Sequence, residues 1–320
     1  MFETNILFLA PHWRVTLVRA FRETLRKSGL PGKLLGADSD PLSPAFREMD
    51  RAGVIPRFSD TDCLGRIMDF CKRESAHAVI PLTNKAIEFL DANREAFAGE
   101  NIRLLLNDSA VIETCHDKFK FAQFCRCEGI PAPETFLASS FAENAVPFPL
   151  ISKQRAGEGG KNRMIVEDRR DLEYCRVKYP DHVIQQFIDG REFSIDWFSD
   201  PNGNPAVIVP RDRVAVRGGE VMTSRIEMHP GIIVAARRIG ARLGLKGPCT
   251  LQGLLDKAGN FYFTDINLRF GSGYVHTIAA GADVPLMIYK QLRGEPPLPA
   301  DTNRVRDGSL MLRYTDAFFL

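Results

Sequence analysis

The chain has 320 residues, of which 44% are hydrophobic and 26% are charged, a balance typical of a folded globular protein rather than a disordered or collagen-like one. Its 42 basic residues nearly balance its 40 acidic residues, and the net charge is only +2. Proteins whose main partner is nucleic acid usually carry a clear basic excess, so we expect no nucleic-acid partner. A chain of this length can form two or three domains with a sizeable core.

The seven cysteines are odd in number and include no CxxC pair, so they indicate neither a disulfide framework nor a zinc site. We expect reduced and mostly buried thiols, with Cys125 and Cys127 among the packing residues. The first residues lack the basic segment and the long apolar run of a signal peptide, and no stretch is long enough to span a membrane. We therefore expect a cytoplasmic protein without a membrane partner.

Short apolar runs alternate with helical patterns over residues 1–108. The predicted strands are Asn5–Ala10, Lys33–Ala37, Ala78–Leu82 and Ile102–Leu106, and the predicted helices are Trp13–Lys27, Thr61–Arg73 and Asn84–Phe97. This alternation predicts a parallel sheet with helices on both faces. The turn after the first strand has no glycine-rich fingerprint, so a dinucleotide site is not indicated there.

Two further segments follow, at residues 109–190 and 191–320. The first is a small α+β unit with predicted strands at 148–153, 164–166 and 183–187, and with predicted helices at 117–128 and 168–179. The second has predicted strands at 192–198, 206–209, 250–256 and 261–267. It also has one amphipathic helix, Pro230–Leu243, which ends at Gly244. Residues 210–223 are interpreted as loops that shape a substrate pocket.

The last two predicted strands are separated by four residues that include a glycine, which predicts a β-hairpin. Side chains alternate between the two faces of a strand. Asp265 and Asn267 are therefore predicted to share one face, while Thr264 and Ile266 point away.

A four-residue turn would place Asp256 opposite Phe261, and counting back would place Gln252 opposite Asp265. Opposed side chains project to the same side of a sheet, so Gln252, Asp265 and Asn267 are predicted to converge. Hard divalent cations prefer oxygen ligands, and one carboxylate with two amides suits a cation that arrives bound to a nucleotide. On periodicity alone, this polar face is also compatible with a solvated sheet edge.

The run Asp265-Ile266-Asn267-Leu268-Arg269 resembles the Glu-x-Asn-x-Arg strand of the ATP-grasp superfamily. That strand carries two metal ligands and a phosphate-binding arginine. Asp265 stands in place of the family's glutamate, and Gln252 stands where relatives of carbamoyl phosphate synthase place a glutamine ligand. The resemblance implies a metal site at Gln252, Asp265 and Asn267, and it implies that Arg269 meets a phosphate.

Four further motifs agree with the family in order and spacing. Lys118 and Lys153 resemble two lysines that contact nucleotide phosphates. Residues 155–161 resemble the glycine-rich loop that closes over the phosphates, and residues 183–192 resemble the hinge that holds adenine. The implied nucleotide-binding residues are Lys118, Lys153, Gly157, Gly159, Gly160, Gln185, Gln186, Phe187, Ile188 and, at the ribose position, Glu192.

The resemblance covers nearly the whole chain and implies an ATP-grasp fold of mixed α/β and α+β class. It assigns residues 1–108 to a Rossmann-like pre-ATP-grasp domain with a parallel sheet. Residues 109–190 would form a small lid subdomain, and residues 191–320 a large mixed-sheet subdomain with the metal and substrate sites. The implied cofactors are ATP and one or two Mg²⁺ ions, for which Mn²⁺ can substitute. Dimers are common in related proteins, so a homodimer is compatible with the resemblance.

The implied activity is that of a ligase. ATP phosphorylates a small-molecule carboxylate, and an amine, a thiol or a similar nucleophile displaces the phosphate, leaving ADP and phosphate. Arg269, Lys153 and Arg211 are the predicted catalytic residues. The charges of Arg269 and Lys153, together with that of Lys118, can stabilise the transferring phosphoryl group. Arg211 belongs to a basic cluster, one or two members of which are predicted to bind the carboxylate or the acyl phosphate. The other members of this cluster are Arg213, Arg217 and Arg225.

Three other functions are compatible with the sequence. The chain could be a component that phosphorylates bicarbonate or carbamate, as in carbamoyl phosphate synthase. The replacement of the family's glutamate by Asp265 is compatible with a nucleotide-binding module that does not turn over substrate. The sequence is also compatible with a plain α/β binding protein. His229 and His276 are assigned no catalytic role, and no motif identifies the carboxylate or the nucleophile.

Overall fold

The computed structural model describes residues 3–141, 146–157, 163–296 and 305–320. Within these residues the chain forms three sheets, one after another along the sequence. The predicted α/β and α+β fold with a parallel first sheet is confirmed. The prediction of a mixed sheet in residues 191–320 is wrong, since the strand pairs described there are all antiparallel. The exact domain boundaries, at 108/109 and 190/191, stay predictions.

The first sheet is parallel, with its strands in the order β3-β2-β1-β4-β5. Its strands are β1 (Ile6–Leu9), β2 (Leu34–Asp38), β3 (Arg51–Val54), β4 (Ala78–Pro81) and β5 (Arg103–Leu104), and its helices are α1 (Val15–Ser28), α2 (Cys63–Arg73), α3 (Asn84–Ala92) and α4 (Arg94–Gly99). Every residue of β1, β2 and β4 is buried, as expected when helices cover both faces. Strand β3 was not predicted, because it lies at the edge of the sheet, is mostly exposed and has no apolar run.

The second sheet is antiparallel, in the order β6-β9-β7-β8. Its strands are β6 (Thr135–Leu137), β7 (Leu150–Gln154), β8 (Met164–Val166) and β9 (His182–Gln186), and the helices of this part of the chain are α5 (Ser109–His116), α6 (Lys118–Cys127) and α7 (Arg169–Lys178). The carboxylate of Asp117 caps α6 by accepting hydrogen bonds from the N–H groups of Phe119 and Lys120. The same carboxylate pairs with Arg155, 2.7 Å away, just after β7. This pair holds Lys118, the first residue of α6, beside the sheet.

The third sheet has six antiparallel strands in the order β14-β13-β10-β11-β12-β15. They are β10 (Gly190–Ser199), β11 (Pro205–Arg217), β12 (Glu220–Ile226), β13 (Gly247–Asp256), β14 (Phe261–Asn267) and β15 (Leu310–Leu312), and the helices are α8 (Pro230–Leu243), α9 (Tyr274–Ala279) and α10 (Val284–Leu292). The predicted amphipathic helix is confirmed as α8, whose buried residues include Ile232, Ala236, Ile239 and Leu243.

The interpretation of residues 210–223 as loops is wrong. This stretch forms most of a long hairpin, in which β11 continues to Arg217 and β12 starts at Glu220. Gly218 and Gly219 form the two-residue turn, and both have positive φ angles, 57° and 80°. Two consecutive residues with positive φ define the hairpin turn whose twist matches that of its strands.

A shared core joins the first and third sheets. Phe21 of α1 packs edge-on against Phe270 and Tyr289, with ring centroids 5.9 and 6.0 Å away, an arrangement favoured by the aromatic quadrupole. About one turn farther along α1, the hydroxyl of Thr24 donates to Asp283, 2.8 Å away. These contacts fix the middle of α1 against the part of the chain that follows β14.

All seven cysteines carry free thiols, and six of them are buried. The prediction that Cys127 packs in the interior is wrong, since it is exposed at the end of α6, two residues after the buried Cys125. In the part of the chain that the structure describes, no helix has both the length and the apolar character needed to cross a bilayer.

Two helical glycines provide a test of the packing. A β-carbon at Gly240 in α8 would lie 2.3 Å from the ring of Trp197, whereas one at Gly65 in α2 would meet nothing within 4 Å. We expect Gly240→Ala to lower the free energy of unfolding by about 1–3 kcal/mol through overpacking. Gly65→Ala should raise it by about 0.5–1 kcal/mol, because alanine is the better helix former. Urea unfolding of both variants measures the difference, and equal effects would contradict the packing described.

Candidate active site

One cavity of about 760 Å³ brings the predicted site residues together. It lies between the second and third sheets, and Arg14, just before α1, also lines it. The predicted residues that line it are Lys118, Lys153, Gly157, Gln185, Gln186, Phe187, Ile188, Glu192, Arg211, Gln252, Asp265, Asn267 and Arg269. Gly159 and Gly160 lie outside the described residues. The individual roles of these residues stay predictions.

The register of β13 against β14 places three oxygen-bearing side chains on the cavity wall. Gln252 lies opposite Asp265, and Thr250 lies opposite Asn267. The predicted pair Gln252–Asp265 is therefore confirmed, but the predicted pair Asp256–Phe261 is wrong.

The turn explains this difference. Leu255, rather than Asp256, faces Phe261, because the Asp256 carboxylate accepts backbone hydrogen bonds from Ala258 and Asn260 and so becomes part of the turn. A register shift between Gln252 and Gly253 then restores the predicted pairing farther along the hairpin.

That shift is a β-bulge, which re-aims side chains and bends the strand. Phe263 and Asp265 pair with consecutive residues of β13, so Thr264 is the extra residue. The prediction that Thr264 points away is wrong, since it lines the cavity beside Asp265. Ile266 is buried and is absent from the described cavity wall, as predicted.

The donor set fits a hard cation that brings most of its own ligands. Gln252, Asp265 and Asn267 supply one carboxylate and two amide oxygens. The described residues contain no group of three or more histidine, cysteine, aspartate or glutamate side chains that could hold a metal. Magnesium typically binds one or two carboxylates together with phosphate oxygens and water. The set therefore fits a nucleotide-borne Mg²⁺ better than a metal held by protein ligands alone.

Two lysines reach the cavity from the second sheet and α6. The ammonium of Lys118 lies 3.5 Å from the Asp265 carboxylate, so it faces the predicted metal ligand directly. Lys153 donates a 2.7 Å hydrogen bond to the side-chain oxygen of Gln185, whose amide in turn donates to Thr135 over 2.8 Å.

Lys153 is partly buried. Burial lowers the pKa of Lys153, and the charge of Asp265 only partly opposes this effect. A buried ammonium whose hydrogen-bond partner is a neutral amide gains from an incoming anion. This environment favours binding of a phosphate group.

Two of the four clustered arginines line the cavity and two do not. Arg211 and Arg213 point to one face of β11 and line the cavity, whereas Arg217 and Arg225 are exposed and absent from the described lining. The expectation of one basic cluster is therefore wrong. Arg225 pairs with Asp212 and therefore lies on the opposite face from Arg211 and Arg213. Arg217 has the same even spacing as Arg211 and Arg213, but β11 has two register shifts between Asp212 and Val216, which the sequence pattern did not predict.

Arg211 is a buried residue with a fixed orientation. Its Nε and Nη2 donate to Asp196 over 2.7 and 2.9 Å, and Thr277 donates to the same carboxylate over 2.6 Å. The remaining Nη1 has no hydrogen-bond partner among the described residues. A β-carbon at Gly273 would lie 2.4 Å from this nitrogen, so only glycine leaves room there. Asp196 carries no sequence signal, because its neighbours read as an ordinary strand.

Arg213 and Arg269 complete the basic wall. Arg213 lies 3.3 Å from the Glu192 carboxylate and donates to the hydroxyl of Ser194. Arg269 is 8% exposed, and it donates to the Asn267 side-chain oxygen over 3.4 Å. The predicted ribose-binding residue, Glu192, thus contacts a cation of the cavity wall.

The two histidines have structural contacts. His276 is buried between the hydroxyls of Ser224 and Ser309, 2.8 and 3.2 Å away, and burial lowers its pKa to about 4. His229 caps α8 by accepting from the N–H of Ile232.

Two family models match the chain. The PylC-like N-terminal domain matches residues 6–105, and the model for ATP-grasp in the biosynthetic pathway with Ter operon matches residues 178–316. The predicted resemblance to the ATP-grasp superfamily is confirmed. The first match covers the parallel sheet. The second covers the third sheet, including β14 with the predicted metal ligands Asp265 and Asn267.

Known proteins similar to this chain include the carbamoyl-phosphate synthase of Methanobrevibacter smithii, which is 24% identical over 178 residues. That alignment covers 54% of this chain and 47% of the synthase, so the chain spans less than half the length of that relative.

Two solved structures share the fold. The L-amino acid ligase from Bacillus licheniformis superposes with a TM-score of 0.73 at 22% identity, covering 96% of this chain and 78% of that one. The biotin carboxylase domain of 2-oxoglutarate carboxylase from Hydrogenobacter thermophilus, solved with MgADP and bicarbonate, gives a TM-score of 0.72 at 18% identity, covering 95% and 73%.

Removal of the Asp196 carboxylate tests the buried pair with Arg211. We expect Asp196→Asn to lower the free energy of unfolding by about 3–5 kcal/mol, because it leaves a buried guanidinium without its counter-charge. Asp212→Asn is the control, since its partner Arg191 is half exposed and such pairs contribute under about 1 kcal/mol. Equal losses in chemical denaturation would contradict a special role for Asp196.

The contact between Lys118 and Asp265 predicts competition between a lysine and a metal. Without nucleotide, the ammonium occupies the carboxylate that a cation would use. We expect Lys118→Gln to tighten Mn²⁺ binding to the nucleotide-free protein about tenfold, since it removes a like charge near the site. Electron paramagnetic resonance of free Mn²⁺ provides the measurement.

Lys120→Gln is the matched control, because Lys120 lies on the same helix but pairs with Glu113 outside the cavity. Asp265→Asn should weaken Mn²⁺ binding in either background. Unchanged or weaker binding by Lys118→Gln would show that Asp265 is not a metal ligand.

Proposed function

We propose that the protein is a ligase that activates a carboxylate with Mg-ATP as an acyl phosphate and joins it to an amine. One observation carries this proposal. Gln252, Asp265 and Asn267 form one wall of a cavity into which Lys118 projects from α6, with its ammonium 3.5 Å from Asp265. A cation site facing a nucleotide-binding lysine is what transfer of the terminal phosphoryl group requires.

The nucleotide would occupy the side of the cavity that faces the second sheet. Residues 186–188, at the junction of β9 and β10, line this side, and their backbone groups would hold adenine, with Glu192 at the ribose. Lys118 and Lys153 would contact the phosphates, and the positive φ of Gly157, 131°, suits a loop whose backbone approaches them closely. Gln252, Asp265 and Asn267 would hold Mg²⁺, which when bound would neutralise negative charge on the phosphates.

The chain's own residues would orient the reactants and stabilise the transferring group. Arg269 follows β14, the strand that carries Asp265 and Asn267, and would contact the γ-phosphate. Lys153 would neutralise charge from the opposite side. The free edge of Arg211, and Arg213 beside it, would hold the carboxylate that attacks. Because Asp196 fixes the orientation of Arg211, little entropy would be lost on binding.

The amine is favoured over other nucleophiles by the structural similarity to the L-amino acid ligase. Activation of bicarbonate is the second candidate, supported by the similarity to carbamoyl-phosphate synthase and to the carboxylase domain solved with bicarbonate. A thiol acceptor, a homodimer and a second metal ion stay predictions.

A coupled ADP-release screen tests the proposal. The protein is mixed with Mg-ATP, hydroxylamine as a neutral trap for acyl phosphates, and one acid at a time from a panel of amino acids, other small carboxylates and bicarbonate. We expect ADP, phosphate and the hydroxamate in equal amounts with a few related acids. Formation of AMP and pyrophosphate, or no product with any acid, would refute the ligase.

The predicted phosphate role of Arg269 is tested with two arginine variants, assayed with an acid that is active in the screen. Arg269→Ala should lower kcat at least about 100-fold, because it removes a preorganised charge from the transferring group. Arg217→Ala should leave kcat unchanged, since Arg217 is exposed outside the described cavity lining. Equal effects would remove the predicted phosphate role of Arg269.

A further inference from the structure

One end of the cavity has its own set of polar groups. It is bounded by the tip of the β11–β12 hairpin, by the loop of residues 271–273 after β14, and by Arg14 at the start of α1. None of these elements belongs to the predicted nucleotide motifs. Since the first and third sheets share a core, their relative placement at this end is fixed.

Glu220 places a carboxylate in this end of the cavity. It is the first residue of β12, directly after the turn at Gly218 and Gly219, and it lines the cavity. Arg313 donates to the carboxylate over 2.7 Å and also donates to the backbone oxygen of Ser272. The Glu220 side chain is still 51% exposed, so its other acceptor positions are open to a ligand.

The environment of Glu220 keeps it ionised. Partial burial raises the pKa of its carboxyl group, but the hydroxyl of Ser272 and the charges of Arg14 and Arg313 outweigh burial and hold the pKa below its ordinary value. An ionised carboxylate with a lowered pKa is suited to binding an ammonium group and poorly suited to removing a proton from it.

A complementary donor lies across the same loop. Nη1 of Arg211 has no hydrogen-bond partner among the described residues, and it faces Gly273, which is adjacent to Ser272. Arg211 is 1% exposed and held rigidly by Asp196, so this N–H edge can only serve a group inside the cavity. A buried, unsatisfied donor of this kind gains a charge-assisted hydrogen bond from a carboxylate.

We propose that this end of the cavity is a subsite for a free α-amino acid, whose ammonium contacts Glu220 and whose carboxylate contacts the Nη1 edge of Arg211. An α-amino acid carries its ammonium and its carboxylate on the same carbon. The acceptor and the donor likewise lie close in the fold, because Glu220 contacts Ser272 and Nη1 of Arg211 faces the adjacent Gly273. Val216 and Val221 line the same end and offer apolar surface to the amino-acid side chain. The proposal rests on the proposed function, because it names one substrate class of the same site.

A binding assay with the full chain tests the subsite without requiring turnover. The melting temperature is measured in the presence of MgADP with each of the twenty standard amino acids in turn. We expect at least one of them to raise it by about 2 °C or more at tenfold saturation. The N-acetyl derivative of that amino acid, which lacks the ammonium, should give no shift.

Glu220→Gln should weaken binding of that amino acid at least tenfold, and Glu220→Asp should weaken it less. Glu227→Gln is the control, because Glu227 pairs with Arg191 and is absent from the described cavity lining. Unchanged MgADP affinity in all three variants would show that the fold is intact. The proposal is overturned if no amino acid shifts the melting temperature, if the N-acetyl derivative binds equally well, or if Glu220→Gln binds like the parent.

These outcomes separate the subsite from the ligase. Amino-acid binding that depends on Glu220, without ADP formation in the acid screen, would refute the ligase and retain the subsite. ADP and acyl phosphate formation without amino-acid binding would support the ligase and overturn the subsite.

Discussion

The pairing of β13 with β14 is the constraint on which the whole site depends. A one-residue slip in a strand moves every side chain to the opposite face, so Asp265 and Asn267 reach the cavity only in the observed register. Two local features set that register. Asp256 joins the turn through its backbone hydrogen bonds, and the bulge at Thr264 shifts the pairing back by one residue. Neither feature alone would place Gln252 opposite Asp265.

The electrostatics of the cavity follow from how each cation is held. Asp196 counters most of the charge of Arg211 and leaves one N–H edge for a ligand. Among the described residues, Lys153 donates to the neutral amide of Gln185, while Lys118 lies against the carboxylate of Asp265. Anions therefore find both preoriented donors and buried positive charge. This arrangement suits a site in which phosphate and carboxylate groups must approach one another despite their repulsion.

The sequence predicted the elements with strong periodicity and the residues with recognisable spacing. The buried runs of the first sheet, helix α8 and the Gln252–Asp265 pair agree with the structure, because apolar periodicity and hairpin counting are local rules. Strand β3, at the edge of its sheet, and most of the β11–β12 hairpin were not predicted, since their charged and exposed residues lack an apolar pattern. The positions of Asp196, Glu220 and Arg14 depend on contacts between distant segments, which no local rule encodes. The bulge was also hidden, yet it happened to cancel the error in the predicted turn.

The claim that Asp265 and Asn267 hold a nucleotide-borne cation is tested most directly by crystals of the protein grown with Mn²⁺ and ADP, with diffraction data collected at the manganese edge. We predict one anomalous peak about 2–2.5 Å from a carboxylate oxygen of Asp265 and from a phosphate oxygen of ADP, with the adenine beside residues 186–188. A manganese peak that contacts ADP but lies away from the wall formed by Gln252, Asp265 and Asn267 would contradict the account.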